Sequence, residues 1–584
     1  MRISQDRFRE LLLLTGLCGF FFFFRLSGIG LLGPDEPRYA QVAREMLARH
    51  DWVTPVLYGH TWLEKPILLY WGEMLSYTVF GVSDWAARIP SAVAATLLVF
   101  GTWVAVGRIR YRARTDAALA IASSVLVLGF ARAAATDMLL ASPFCLSLLA
   151  WFCWYQSCWP QSCHNKTAAS APPAIRVSSA RLWLALFYAL NALAMLAKGP
   201  IAPALAALVL IAFCASQRNL PALLRTLDPI GLTVFLAVAA PWYVLVQLRT
   251  PEFFRVFFLQ HNLARFGSNL YRHHQPFWYY VPVVLLATLP WTVWLIHGLA
   301  DACTAVHSEA LRAQLSRPSP PPAVPEADNA SGDPAFTFEI FLSLWALVPI
   351  AFFSVSHSKL PGYILPAIPP LLILAALAVH RRAARGESPR WVAIAIHAIL
   401  LAAIAAALCL APRIAFKLPA SATAIMIAAF AGTAIFLVVA LPLLTAGWRM
   451  LRFVTLLPLI LAVGFLLRGL APAVDATQSS RPIAELLQAI DQPGPLPLAT
   501  FNLNRNTAFG LAFYLDRHVA PYEGLEISPA VYELPAAIPD SAHILVTRDG
   551  SLPALLRILP GRSLRFLGSY RPQRIEFYEV SPTP

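Results

Sequence analysis

Two adjacent carboxylates, Asp35 and Glu36, follow the first apolar run, in the stretch GPDEPRYAQVAREML. Pro37 then opens a helical pattern that carries Arg38, Tyr39, Arg44 and Glu45. Further along, Glu64 and Lys65 stand side by side in HDWVTPVLYGHTWLEKPILLYW. Carboxylates can accept a proton or, together with histidine, hold a divalent metal, and cations suit a phosphate. Each pair also has a plain structural reading. Asp35 falls where it could simply cap a helix. Neighbouring Glu and Lys usually form a solvated pair of little energetic worth.

Convergence favours chemistry. Asp137 lies in AAATDMLL and Lys198 in LAKGP. His261, Asn262, Arg265, His273 and His274 lie in QHNLARFGSNLYRHHQPFWYY, and Lys359 and Tyr363 in HSKLPGYILP. Forty of the 45 basic residues are Arg; the only lysines are Lys65, Lys166, Lys198, Lys359 and Lys417. Three of these five fall at the ends of apolar runs on what the topology below makes one face. Snorkelling at a helix end accounts easily for one such lysine and less well for three. A compact ammonium set against a phosphate accounts for all of them.

The elements that must position these groups are membrane helices. The chain has 584 residues, 58% hydrophobic and 13% charged, against about 25% charged in soluble proteins. That composition excludes a soluble enzyme, a disordered chain and a charge-driven nucleic-acid binder. The net charge of +14 is spread between apolar runs, as positive-inside topology beside an anionic membrane surface requires. Windows of about 20 residues give thirteen candidate spans: 11–31, 89–107, 115–133, 138–156, 181–197, 200–215, 229–248, 278–297, 337–355, 361–379, 391–411, 421–444 and 451–470. The first lacks a small-residue cleavage site and reads as an uncleaved helix. With the N-terminus cytoplasmic, the inside loops hold Arg108–Arg114, Arg218 with Arg225, Arg381–Arg390, and Arg449 with Arg452. The chemistry-bearing residues then gather on the opposite, external face.

The expected architecture is a polytopic α-helical membrane domain over 1–470 and a soluble extracytoplasmic α/β domain over 471–584. External loops occupy 32–88 and 249–277, and a Pro-rich cytoplasmic linker occupies 300–336. In the tail, LATFN, HILVTRD, LRFLGSY and RIEFYEV read as strands, and RPIAELLQAI and PALLRIL as helices. The tail would cover the cavity or touch the acceptor. Eight cysteines lie in apolar runs or inside loops and imply no disulfide framework, and Cys158, Cys163 and His164 match no zinc pattern well. There is no internal repeat of the kind inverted transporters often show.

Five motifs in order, PDEPRYAQVAREML, DWVTP with LEKPILLYW, AKGP, the HN–RF–PFWYYVP loop and SKLPGYILPAIPPL, resemble the bacterial aminoarabinose-transferase-like glycosyltransferases. These are relatives of the protein O-mannosyltransferases and have the GT-C fold. The resemblance covers roughly residues 10–380. It implies an integral-membrane glycosyltransferase in the bacterial inner membrane, with its C-terminal domain in the periplasm. The sugar would leave a polyprenyl (undecaprenyl) phosphate at the outer face. The acceptor would be lipid A or another envelope molecule, and the sugar 4-amino-4-deoxy-L-arabinose or a relative.

The resemblance also implies roles. Asp35 would be the leading catalytic carboxylate with Glu36 beside it, and Asp137 a second acidic position. Arg38, Lys65, Tyr363 and Lys359 would contact the carrier phosphate. Tyr39, Lys198, His261 and Asn262 would line the cavity. Glu64 and His273 would be associated with a divalent metal (Zn, Mg or Mn); no nucleotide cofactor is implied. One departure is Gln260-His261-Asn262, where lipid A-modifying members often read Glu-His. Rival readings are transfer of a hexose such as mannose to a protein hydroxyl or envelope glycan, and a lipid-linked sugar flippase. The flippase would need polar groups along a path through the bilayer, which these helices offer sparingly.

Overall fold

The computed structural model describes residues 5–582 except 160–172, 265–274, 302, 304–333, 416–420, 492–493 and 529–531. Arg265, His273 and His274 and most of the Pro-rich linker lie outside the described residues.

The first half of the chain builds α1 (Gln5–Cys18), α2 (Asp35–Ala48), α3 (Leu68–Phe80), α4 (Asp84–Ile109), α5 (Arg114–Ser123), α6 (Val125–Ala131), α7 (Thr136–Cys158), α8 (Pro173–Lys198), α9 (Ile201–Ser216), α10 (Leu220–Thr226) and α11 (Pro229–Arg249). After a π-helical stretch Phe254–Ala264 come α12 (Tyr280–Ala287), α13 (Thr292–Asp301), α14 (Pro334–Val355), α15 (Ile368–Ala384), α16 (Trp391–Ala415), α17 (Ala422–Ala446) and α18 (Leu451–Phe465). Nine described helices are long and apolar enough to cross a membrane, or eleven if each of two bent pairs is one span. The bent pairs are α5–α6, at 64°, and Phe277–Ala287 with α13, at 115°. The expected windows 200–215 and 11–31 fall on the 16-residue α9 and on α1 with its π-helical extension Gly19–Phe23.

Two expectations need correction. The window 278–297 is not a straight helix, because Pro290 lies in its break and lacks the N–H that would continue the ladder. The break is not left unpaired: Val125 N donates to Leu289 O at 3.0 Å across the other bend, and Trp291 Nε1 donates to Ser123 Oγ at 2.8 Å. The first helix also ends at Phe23 rather than near residue 31. Arg25 there adopts a left-handed φ of 48°. Arg132 takes the exposed carbonyls of Phe21, Phe24 and Arg25 at 3.0, 3.0 and 2.9 Å, supplying the partners that a helix C-terminus lacks.

One end of the bundle is arginine-rich. Arg114 pairs with Glu10 at 2.6 Å, Arg382 with Asp301 at 2.7 Å, Arg452 with Asp116, and Arg381 with Glu339. These ion pairs gather the ends of α1, α5, α13, α14, α15 and α18 at one level.

The tail packs α19 (Ala471–Gln478), α20 (Arg481–Ile490), α21 (Arg505–Leu515) and α22 (Leu552–Ile558) around a five-stranded mixed sheet. Its strands are β3 (Leu498–Phe501), β4 (Val519–Pro521), β7 (His543–Arg548), β8 (Arg562–Tyr570) and β9 (Ile575–Pro582), in the order β4-β3-β7-β9-β8. Small hairpins are formed by β1 (Val56–Leu57) with β2 (His60–Thr61), and by β5 (Leu525–Ser528) with β6 (Tyr532–Leu534). β3 is parallel to β4 and β7, and β9 is antiparallel to β7 and β8. All four strands and both helices read from the tail sequence are present. Among the described residues the cysteines are free.

Candidate functional site

α2 begins with Asp35 itself. Pro34 occupies the cap position and no side chain caps the helix, so Asp35 is not used as a cap. Its carboxylate is 58% exposed and accepts from Arg38 Nη2 at 2.5 Å. One turn separates the two residues, which places them on one helix face.

Arg38 is buried, with 5% of its surface exposed. Its guanidinium lies 4.9 Å from the Trp62 ring, 5.3 Å from Tyr39 and 6.0 Å from Phe509. Nη2 is 3.7 Å from Glu64, and Lys65 Nζ donates to Glu64 Oε1 at 3.0 Å. Burial works against the Arg38 charge, but Glu64, Tyr39 and Asp35 outweigh it and the guanidinium stays firmly protonated. Burial, and then the Asp35 charge, push the Tyr39 hydroxyl well above its ordinary range. Burial, and then Glu64, do the same to Tyr70. Both phenols therefore remain protonated, and the Tyr70 hydroxyl accepts from Trp62 Nε1 at 3.1 Å.

Glu36 points elsewhere. Its carboxylate accepts from Arg88 Nε and Nη2 at 3.0 and 2.7 Å, from Leu32 N at 2.7 Å and from Ala134 N at 2.7 Å. Arg88 also holds the carbonyls of Leu26, Ile29 and Gly30. Four bonds to one carboxylate describe an anchor. Glu36 pins the start of α2 to the turn before α7, and that turn delivers Asp137.

Asp137, in the first turn of α7, pairs with Lys198 at 2.6 Å. Lys198 Nζ lies 5.3 Å from the Tyr363 ring, and the Tyr363 ring lies 5.2 Å from that of Phe353, tilted by 39°. Gly362 lets these strands of chain meet: a Cβ there would lie 2.6 Å from Asp137 Oδ1. Lys359 is buried and turned inward, donating to Gln275 O at 2.9 Å and Ser356 O at 2.6 Å. This ammonium ties its own loop to the end of the second external loop.

The second loop joins the same face. Trp242 Nε1 donates to Val53 O at 2.9 Å, Arg249 pairs with Asp51 at 2.8 Å, and Tyr243 Oη donates to Met195 O at 2.9 Å, just before Lys198. His261 is buried in the π-helical stretch that packs on Tyr243 through Phe257. Asn262 lies in the same stretch. Asp35, Arg38, Glu64, Lys65, Asp137, Lys198 and Tyr363 thus assemble on one side of the bundle, opposite its arginine-rich end. His273 lies outside the described residues.

Sequence reasoning missed several contributors. Arg88 and Arg132 were legible in principle, as ionisable residues at the ends of apolar runs. Phe509 was not, because it comes from α21 in the tail. Its ring stacks 6.1 Å from Tyr58, whose other neighbour is His518 at 5.7 Å. The tail is clamped there by Arg44, which donates to Phe513 O at 2.7 Å and pairs with Asp516 at 2.7 Å. Arg481 pairs with Asp84 at 2.7 Å and with Asp475 at 2.6 Å.

Of the expected metal pair, Glu64 and His273, only Glu64 lies within the described residues. Glu64 sits between Arg38 and Lys65, two cations that share its charge, and among the described residues no three His, Cys, Asp or Glu side chains are grouped to hold an ion. The arrangement sets fixed cations, backed by aromatic faces, beside an exposed carboxylate at its edge.

Residues 64–159 match the family model described as dolichyl-phosphate-mannose-protein mannosyltransferase. The chain is 30% identical over 455 residues to the undecaprenyl phosphate-alpha-4-amino-4-deoxy-L-arabinose arabinosyl transferase of Aeromonas salmonicida, covering 76% of this chain and 74% of that one. It is 32% identical over 376 residues to the protein of that name from Pseudomonas paraeruginosa, covering 63% of this chain and 59% of the relative. The crystal structure of ArnT from Cupriavidus metallidurans bound to undecaprenyl phosphate superposes with a TM-score of 0.72 at 25% identity, over 97% of both chains.

Proposed function

The chain belongs to the undecaprenyl phosphate-alpha-4-amino-4-deoxy-L-arabinose arabinosyl transferase family, and from that premise we propose that it moves this aminosugar from undecaprenyl phosphate to lipid A. The observation that carries the reading is the buried Arg38 beside Lys65, ringed by Trp62, Tyr39 and Phe509. Fixed cations of this kind suit the phosphate of a lipid carrier. The solved ArnT from Cupriavidus metallidurans is bound to that carrier.

In the proposed reaction an acceptor oxygen attacks the anomeric carbon. The bond to the carrier's phosphate oxygen breaks, and its electron pair stays on the phosphate. The barrier falls because Arg38 and Lys65 already stand where that charge develops. Direct displacement inverts the anomeric centre. A phosphate acceptor attacks as an anion and needs no base; Asp35 and Asp137 then position it or orient the sugar's 4-amino cation. A hydroxyl acceptor must lose a proton, and Asp35, the exposed carboxylate, takes it.

The topology that supports this is thirteen crossings of the bacterial inner membrane, with the N-terminus cytoplasmic and the tail periplasmic, above the site. The twelve arginines of the stretches 108–114, 218–225, 381–390 and 449–452 favour that orientation. The match of residues 64–159 to the mannosyltransferase model favours one second reading, transfer of a hexose to a protein hydroxyl.

Mass spectrometry of envelope lipids and proteins, with and without the gene, separates the two. A shift on lipid A supports the first reading and a shift on a protein selects the second. Asp35→Asn should abolish transfer to a hydroxyl but need not abolish transfer to a phosphate, so full activity with both acceptors removes Asp35 from the chemistry.

A further inference from the structure

A cavity of about 320 Å³ lies at the arginine-rich end of the bundle, between α5, α13, α15 and α18. It is far from the candidate site. Tyr363 lies near the start and His380 near the end of the helical stretch Pro361–Ala384, and seventeen residues of helix span roughly 25 Å. The cavity belongs to the opposite membrane face.

Its lining combines Trp291, Trp294 and Trp448 with His380, Arg449 and Arg452. Arg452 is held by Asp116, also in the lining, through Nη2 at 2.9 Å. Arg449 is exposed and has no carboxylate partner among the described residues. Trp294 is fully buried, and its indole N–H has no hydrogen-bond partner among the described residues. An indole donor left unpaired in the interior is costly. Trp294 forms part of the wall of this cavity. Phe453 forms part of the rim and is 66% exposed on a membrane helix, so the cavity communicates with the surrounding lipid.

We propose that this cavity binds the headgroup of an anionic phospholipid from the arginine-rich leaflet. The phosphodiester would lie against Arg449 and Arg452, an ester or phosphate oxygen would accept from Trp294, and the acyl chains would leave past Phe453. Aromatic rings and basic side chains at one depth suit this boundary between apolar chains and charged headgroups. The cavity's volume falls at the small end of the ligand-site range of about 300–1,000 Å³. The site adjoins the break between α12 and α13, so a bound lipid would brace a place where the helix ladder is interrupted. This inference is independent of the sugar and the acceptor.

The test is native mass spectrometry of the purified full chain in detergent, titrated with dioleoyl-phosphatidylglycerol or dioleoyl-phosphatidylethanolamine. One phosphatidylglycerol should bind per chain, at least about tenfold more tightly than phosphatidylethanolamine. Arg449→Gln, at an exposed position, and Trp294→Phe, which removes the N–H and keeps a ring, should each weaken it by about tenfold. Equal binding of the two lipids, or unchanged phosphatidylglycerol binding in both variants, overturns the proposal. Displacement of the lipid by millimolar glycerol 3-phosphate also overturns it, in favour of a soluble phosphate ligand.

Discussion

Arg38 is the residue whose removal tests the site most directly. A guanidinium and a phosphate about 4 Å apart attract by about 4 kcal/mol at an effective dielectric of ~20. Arg38 earns less than that full value, because Asp35 at 2.5 Å and Glu64 at 3.7 Å already share its charge. Removing one pre-placed donor of developing charge typically costs roughly 3 kcal/mol, or about 10²-fold in rate. Arg38→Met should therefore lower kcat/KM by about 10²-fold, and Arg38→Lys by about tenfold, since an ammonium cannot contact both carboxylates while stacking on Trp62. The assay is transfer of aminosugar from a synthetic polyprenyl phosphate donor to lipid A, followed by mass spectrometry, with folded protein matched by Tm. Arg38 and Asp35 touch, so Asp35→Asn with Arg38→Met should lose less than the product of the single losses. Turnover of Arg38→Met within threefold of wild type, at equal folded protein, refutes the phosphate role.

The remaining predictions address positioning and stability. Glu36→Gln leaves the buried Arg88 without its anion and should cost about 3–5 kcal/mol of stability, seen as a lower Tm; the protein that folds should keep its kcat within a few-fold, because Glu36 does not face the site. Gly362→Ala drives a methyl to 2.6 Å from Asp137 Oδ1, so the Asp137–Lys198 pair must move, and transfer should fall about tenfold or more with normal yield. Phe509→Ala uncovers Arg38 and Tyr58 and should raise KM for the carrier more than it lowers kcat, measured with a donor titration. Burial holds the His543 imidazole below its usual 6.5, against the pull of the Ser541 carbonyl. The unfolded chain then takes up the proton first, so the tail should lose stability as pH falls through about 6.5 and downward. His543→Asn should flatten that part of a Tm-against-pH profile.

Much of this was legible before any coordinates. The apolar runs predict the helices, because a helix in lipid satisfies its own backbone and needs only length and hydrophobicity. The arginine loops group correctly at one end of the bundle, and the alternating patterns in the tail find their strands. Asp35, Glu64, Lys65, Asp137 and Lys198 stand out because ionisable residues are few here. Their neighbours were harder to read. Glu36 and Asp35 are consecutive, yet one looks inward to Arg88 and the other outward to Arg38, since successive helical residues point about 100° apart. Lys359 carries the same charge as Lys65 but spends it on two carbonyls. Whether a lysine faces a ligand or its own loop depends on the fold around it.

Composition and spacing alone determined the class of the molecule, the order of its helices and the kinds of groups available for chemistry, because hydrophobic length and local propensity act over short stretches of chain. Tertiary structure alone decided which groups meet. Ala134 reaches Glu36, Gly362 admits Asp137, and Phe509 from the tail closes over Arg38 through contacts between residues tens to hundreds of positions apart. Such contacts depend on how helices bend and pack. Two Pro- and Ser-containing breaks and a pair of arginines gripping bare carbonyls set that packing, and no local pattern encodes it.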